Sequence, residues 1–110
     1  MPHYMFQGRY SVESIRAMVE NPQDREGAAR ALIEAMGGKL HSMFFAFGSE
    51  DIVAIIDVPD DKTAAAAALA IAAGGAFSSG ATTKLMTTTE AMDAMGHAQK
   101  AVAKYTPPTG

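Results

Sequence analysis

Two histidines, one arginine and a handful of acidic residues at strand positions are the groups of this chain best placed to do chemistry. His41 stands two residues before Met43 in an alternating stretch that runs to Phe47. An imidazole on an apolar sheet face can shuttle a proton or ligate a metal or haem iron. Its plainer role is a hydrogen bond to a backbone carbonyl. His3 and Arg9 bracket another alternating stretch, and Asp51 and Asp57 bracket the apolar run Ile52-Val53-Ala54-Ile55-Ile56. If these two stretches are antiparallel neighbours, Arg9 meets Asp51 and His3 meets Asp57. An Arg–carboxylate pair fixes register. A carboxylate beside a histidine orients the ring and raises its basicity, which suits acid–base work. Either pair can equally pin strands or subunits together. The catalytic candidates are therefore His41, His3 and Arg9. Around them Met5, Met43, Phe45, Phe47, Asp51, Val53 and Ile55 are candidates to contact a ligand. Adjacent Glu50 and Asp51 could hold a cation, or Asp51 could accept turn N–H groups.

Other chemistries are not encoded. There is no Cys, so thiolate metal sites and thiol catalysis are excluded. His3, His41 and His97 lie far apart, without helical metal-ligand spacing, so no metal or other cofactor is expected. Ser11, Ser42 and the Ser/Thr cluster have no recognisable base partner. The Gly-rich stretch of residues 74–80 follows a helix instead of joining a strand to one, which is the wrong place for a phosphate loop.

Positioning these groups requires a sheet. Residues 4–9 read as a first strand, with Tyr4, Phe6 and Gly8 on one face and His3, Met5, Gln7 and Arg9 on the other. Ser11 can cap a helix to Glu20 that buries Ile15, Met18 and Val19. Pro22 suits the first turn of a second helix, which runs to Met36, buries Ala29, Leu32, Ile33 and Met36, and stops at Gly37-Gly38. Residues 39–47 and 51–58 form a hairpin turning at Gly48-Ser49. Asp60 or Asp61 caps an Ala-rich helix whose small side chains permit close approach. A fourth strand over residues 77–86 leads into Thr87-x-x-Glu90, a capping-box pattern for a last helix. The order is strand, helices, strand, strand, helix, strand, helix. It implies an α+β, ferredoxin-like split βαβ fold: a four-stranded antiparallel sheet with helices on one face. With Ile52, Ala54, Ile56 and Val58 turned to the helices, the other face carries Met43, Phe45, Phe47, Val53 and Ile55. That face is too apolar to remain wet, so an oligomer formed through it is expected.

The 110 residues suit a single domain over residues 1–105, followed by a disordered tail over residues 106–110. The net charge is −3 with no basic stripe, which argues against nucleic acid. The longest apolar run, residues 64–73, is too short for a bilayer, and no signal peptide opens the chain; a cytoplasmic location is expected. Eight Met and no Trp fit an adaptable core or subunit interface.

Several strings in order resemble the GYD-domain family of small bacterial and archaeal proteins. They are Pro2-His3-Tyr4, Asn21-Pro22-Gln23-Asp24-Arg25, Ala31-Leu32-Ile33-Glu34, Gly37-Gly38-Lys39-Leu40, Phe47-Gly48-Ser49-Glu50-Asp51 and Pro59-Asp60-Asp61. This chain keeps Gly48 and Asp51 and has Glu50 where the family's Tyr usually lies. The resemblance implies kinship with dimeric α+β barrels and brings no generally assigned activity. The expected function is a homo-oligomeric small-molecule-binding or accessory module. One alternative is a cofactor-independent enzyme of the α+β barrel type, performing proton transfer or oxygenation of a small substrate such as an aromatic one. A further alternative is a PII-like regulatory trimer, against which stands the absence of a nucleotide loop.

Overall fold

A computed structural model describes all residues, 1–110. The elements are β1 (His3–Tyr10), α1 (Val12–Glu20), α2 (Arg25–Ala35), β2 (Lys39–Phe45), β3 (Ile52–Asp57), α3 (Asp61–Ala73), β4 (Phe77–Leu85) and α4 (Thr88–Ala101), which continues as a 3₁₀ turn over Val102–Lys104. The four strands form one antiparallel sheet in the order β2-β3-β1-β4. This is the α+β, ferredoxin-like arrangement, with β1 and β3 as the central pair.

Each helix starts where a short polar side chain accepts a backbone N–H. Ser11 accepts from Ser14 at 3.1 Å, Asp24 from Gly27 at 3.0 Å and Asp60 from Thr63 at 2.8 Å. Thr87 and Glu90 exchange bonds of 3.1 and 2.9 Å in a reciprocal capping box. Asp24 is thus the cap of α2, so Pro22 precedes the helix instead of entering its first turn.

The core lies on the helix face of the sheet. Tyr4, Ala54, Ile56 and Leu40 meet Val58, Ile33 of α2, and Ala64 and Ala67 of α3. Gly38 holds the end of this layer together by having no side chain. A Cβ there would collide with the carbonyl oxygen of Asp57 and lie 2.8 Å from Val58 Cγ1. Gly38 therefore lets the start of β2 press against the end of β3.

Three expectations are corrected. The β2–β3 connection spans residues 46–51, closed by an Ala46 N–H bond to the Asp51 carbonyl at 2.9 Å, so it is longer than a turn centred on Gly48-Ser49. No residue of α1 is buried; Ile15 and Val19 remain 41% and 76% exposed, since no other element covers that helix. Finally, the face assignment of β2 fails beyond His41. Leu40 pairs with Ile56, but Ser42 pairs with Ile55, Met43 with Ala54 and Phe45 with Ile52. One extra residue, a β-bulge, is inserted at His41–Ser42. Every later side chain of the strand therefore exchanges faces. Met43 and Phe45 turn toward the helices, and Phe44, 67% exposed, takes their place on the open face.

The last helix behaves differently from the rest. α4 has no buried residue and leaves Met92 and Met95 about two-thirds exposed, at 66% and 65%. The chain measures 60 × 33 × 21 Å with a radius of gyration of 17.9 Å. A compact domain of this length would have about 13 Å. α4 therefore projects as an arm from the sheet and its two covering helices.

Candidate functional site

The sheet brings His3, Asp57 and His41 together. His3 opens β1 and Asp57 closes β3, and the two are direct cross-strand partners. His41 lies in the bulge of β2, on the other side of β3. Asp57 is therefore flanked by an imidazole from each neighbouring strand. Oδ1 meets His3 Nδ1 in a very short contact, and Oδ2 lies 2.6 Å from His41 Nε2. The rings are 5.7 Å apart and tilted by 58°. The Asp57 side chain is 12% exposed, against 34% for His3 and 42% for His41. As neutral rings, both imidazoles must donate to the carboxylate, which leaves His3 Nε2 and His41 Nδ1 as acceptors. Lys39 is also opposite Asp57 in register but forms no ion pair with it. The donor atoms of the three residues all lie within 4.8 Å of one another.

Arg9 and Asp51 do not join this cluster or pair with each other. Arg9 Nη1 donates to the Ser49 carbonyl at 2.8 Å, and Asp51 Oδ2 accepts the Tyr10 N–H at 3.0 Å. The Asp51 N–H in turn donates to the Gly8 carbonyl at 2.9 Å. Both residues thus fasten the loop of residues 46–51 to the far end of β1. The expected Arg9–Asp51 pair is replaced by two backbone contacts, because the longer loop brings its own carbonyl to the guanidinium. Six residues of extended strand, about 20 Å, separate Arg9 from His3.

Of the expected ligand contacts, Met5, Val53 and Ile55 share the open face, with Met5 opposite Ile55. Phe47 lies in the loop and is fully exposed. Met43 instead lines a second site on the helix face. This is a cavity of about 320 Å³ between the sheet, α2 and α3. Phe6, Tyr10, Ile71 and Phe77 form apolar walls, and Ala64, Ala67 and Ala68 leave room that larger residues would fill. Of its 21 lining residues 18 are hydrophobic, and Arg25, the first residue of α2, is the one charged group among them. Tyr10 stacks on Phe77 at 4.5 Å and on Phe45 at 6.0 Å, so Phe45 supports this wall from the helix side. Burial pushes the Tyr10 phenol up, while the neighbouring Arg25 guanidinium opposes that shift.

A tie holds α3 over the sheet beside the cavity. Tyr4 donates its hydroxyl to Asp61 at 2.5 Å, and Lys84 Nζ lies 2.9 Å from the same carboxylate. The bond to Asp61 pushes the Tyr4 phenol up to about 12, helped by burial and the Asp61 charge. The Asp61 carboxyl is held below its ordinary value by Tyr4 first and Lys84 second.

Sequence reasoning missed Asp57 as the centre of the cluster and missed Arg25 altogether. A carboxylate ending an otherwise apolar strand was the available signal for Asp57. Nothing in the spacing marks Arg25, whose place depends on the gap between two helices.

Comparison with known proteins agrees with this architecture. The family model described as GYD domain matches residues 4–95. No curated protein matches the chain. A solved structure titled as the crystal structure of MtbAldR superposes with a TM-score of 0.54 at 15% identity, over 78% of this chain and 52% of that one. The chain thus spans about half the length of that neighbour, and the likeness is one of fold. No helix is long and apolar enough to cross a membrane.

Proposed function

The chain belongs to the GYD domain family, and from that premise we propose that it is a homo-oligomeric module that binds a small, largely apolar molecule. The observation carrying this reading is the cavity of about 320 Å³ under α2 and α3. Its size is at the lower end of ligand pockets, about 300–1,000 Å³, and its apolar walls with few polar groups match their usual lining. Arg25 and the Tyr10 hydroxyl give such a ligand one polar anchor, which favours a carboxylate or another hydrogen-bond acceptor. Oligomerisation is supported by two apolar surfaces without cover: Met5, Phe44, Val53 and Ile55 on the open face, and the methionines of the α4 arm.

The enzyme reading, with His3 or His41 as base and Arg9 holding an anion, has less support. The His3–Asp57–His41 cluster lies on the face of the sheet opposite the cavity, and Arg9 is occupied at the far end of β1. A molecule held under the helices is thus separated from both imidazoles by the sheet.

The test is a thermal-shift screen with aromatic and medium-chain aliphatic carboxylic acids, run beside native mass spectrometry. The expected result is an oligomer whose melting temperature rises with at least one acid, and no rise in Ala68→Phe, where the new ring fills the cavity. A bare monomer would overturn the oligomeric half of the reading. An equal shift in Ala68→Phe, or no shift with any acid, would overturn the cavity half.

A further inference from the structure

We propose that His3, His41 and Asp57 bind a divalent transition-metal ion of the zinc type. The inference concerns the open face and stands apart from the cavity. Two imidazole nitrogens and one carboxylate, all within 4.8 Å, are the nitrogen-and-oxygen donor set that zinc accepts. Around a tetrahedral ion with bonds of about 2.0–2.2 Å, neighbouring donor atoms sit about 3.3 Å apart. The present His41–Asp57 separation of 2.6 Å therefore opens by about 0.7 Å, and donors now as far as 4.8 Å apart close by up to about 1.5 Å, by rotation of the partly exposed rings.

The surroundings favour an ion over a purely structural clamp. The carboxylate is mostly buried and both its oxygens face imidazoles, although Lys39 stands across from it in register. With both rings neutral the cluster carries one negative charge, and no lysine or arginine forms an ion pair with it. A divalent cation would supply that charge. The rings are partly exposed, which gives an entry path and leaves a fourth position for water. His3 and Asp57 are direct cross-strand partners, His41 is carried beside them by the bulge of β2, and Gly38 allows the close packing behind Asp57. Such a site is preorganised, and rigid elements hold ligands more precisely than loops do. Metals need unprotonated imidazoles, so binding should weaken as pH falls.

The experiment uses the full chain without an affinity tag, stripped with chelator and dialysed. Zinc is titrated by calorimetry, and cobalt by its visible absorption, which reports coordination geometry. The expected result is one ion per chain, a tetrahedral-type cobalt spectrum and a higher melting temperature with zinc. His41→Ala and His3→Ala should each weaken binding at least about 100-fold, beyond the 10- to 100-fold typical of losing a supporting partner. His97→Ala, which removes the remaining histidine, should leave binding unchanged. Asp57→Asn removes the charge; if that variant fails to fold by circular dichroism, His41→Gln decides, since its amide can still donate to Asp57 from an exposed position. No saturable binding, or binding that survives both His41→Ala and His41→Gln in folded protein, would overturn the site.

Discussion

α3 and α4 are both capped by an oxygen side chain, yet only one of them belongs to the body of the molecule. Asp60 accepts the Thr63 N–H and hydroxyl, and α3 then buries Ala64 and Ala67 against the sheet. Thr87 and Glu90 build the fuller cap, and α4 buries nothing. Caps decide where a helix begins; burial of one face decides whether it is part of a cooperative fold. Within a single chain, α3 is held by tertiary contact and α4 by local bonds alone. The difference marks α4 as the element held least by the rest of the chain.

The contrast can be broken most forcefully by adding charge. Ala67→Glu should destabilise the protein by about 3–5 kcal/mol, the scale of an uncompensated buried charge. Ala94→Glu, on the exposed α4, should stay within about 0.5 kcal/mol. Chemical denaturation followed by circular dichroism measures both; equal losses would mean that α4 is packed in the working protein. Caps give a smaller effect. Asp60→Ala should lower global stability by about 1 kcal/mol. Thr87→Ala should reduce helical signal with little change in the main melting temperature, because the arm frays by itself. A matching drop in melting temperature would show that arm and body unfold together.

The smallest effect is pH-dependent and sharpens what α3 has and α4 lacks. The Asp61 carboxyl lies below its ordinary value, so its contribution is complete above the unfolded value of 3.8 and is lost as pH falls through the lower folded value. The Tyr4 phenol is raised from 10.0 to about 12, so its contribution is complete below 10.0 and is lost as pH rises through about 12. Melting curves across pH should show both limbs. Tyr4→Phe should flatten the alkaline limb and weaken the acid one, and identical profiles for the two proteins would refute the tie. Glu90 is also held down, chiefly by the Thr87 N–H and then the Thr87 side chain, but its titration should affect only the arm.

Much of the architecture was legible because local and global signals agree. Ser11, Asp60 and Thr87 cap the helices expected of them, and the strand-helix order fixes the sheet. The apposition of His3 and Asp57 followed from that order, since antiparallel neighbours of known polarity have few registers. Their meeting with His41 was not legible, because it needs the exact pairing of β2 with β3. The reversal of Met43 and Phe45 was hidden for the same reason: alternation in the sequence continues through the bulge with no mark. The cavity was hidden too. An alanine-rich helix was expected to pack closely, and Ala64 and Ala67 do, but the same small side chains also leave space beside Phe6 and Met43. Alternation reports which side a residue faces, and not how far away the next layer lies.

The extra residue at His41–Ser42 also makes β2 a phase shifter. Substituting either residue leaves the rest of the strand where it is. Deleting one removes the bulge and restores strict pairing, with Met43 and Phe45 still turned to the helices opposite Ala54 and Ile52 and Phe44 still outward opposite Val53. Loss of that residue therefore costs the edge of the sheet its bulge and not the facing of the side chains beyond it. A change of length here should be felt instead at His41, which the bulge holds beside Asp57, while the two faces of the strand beyond keep their phase.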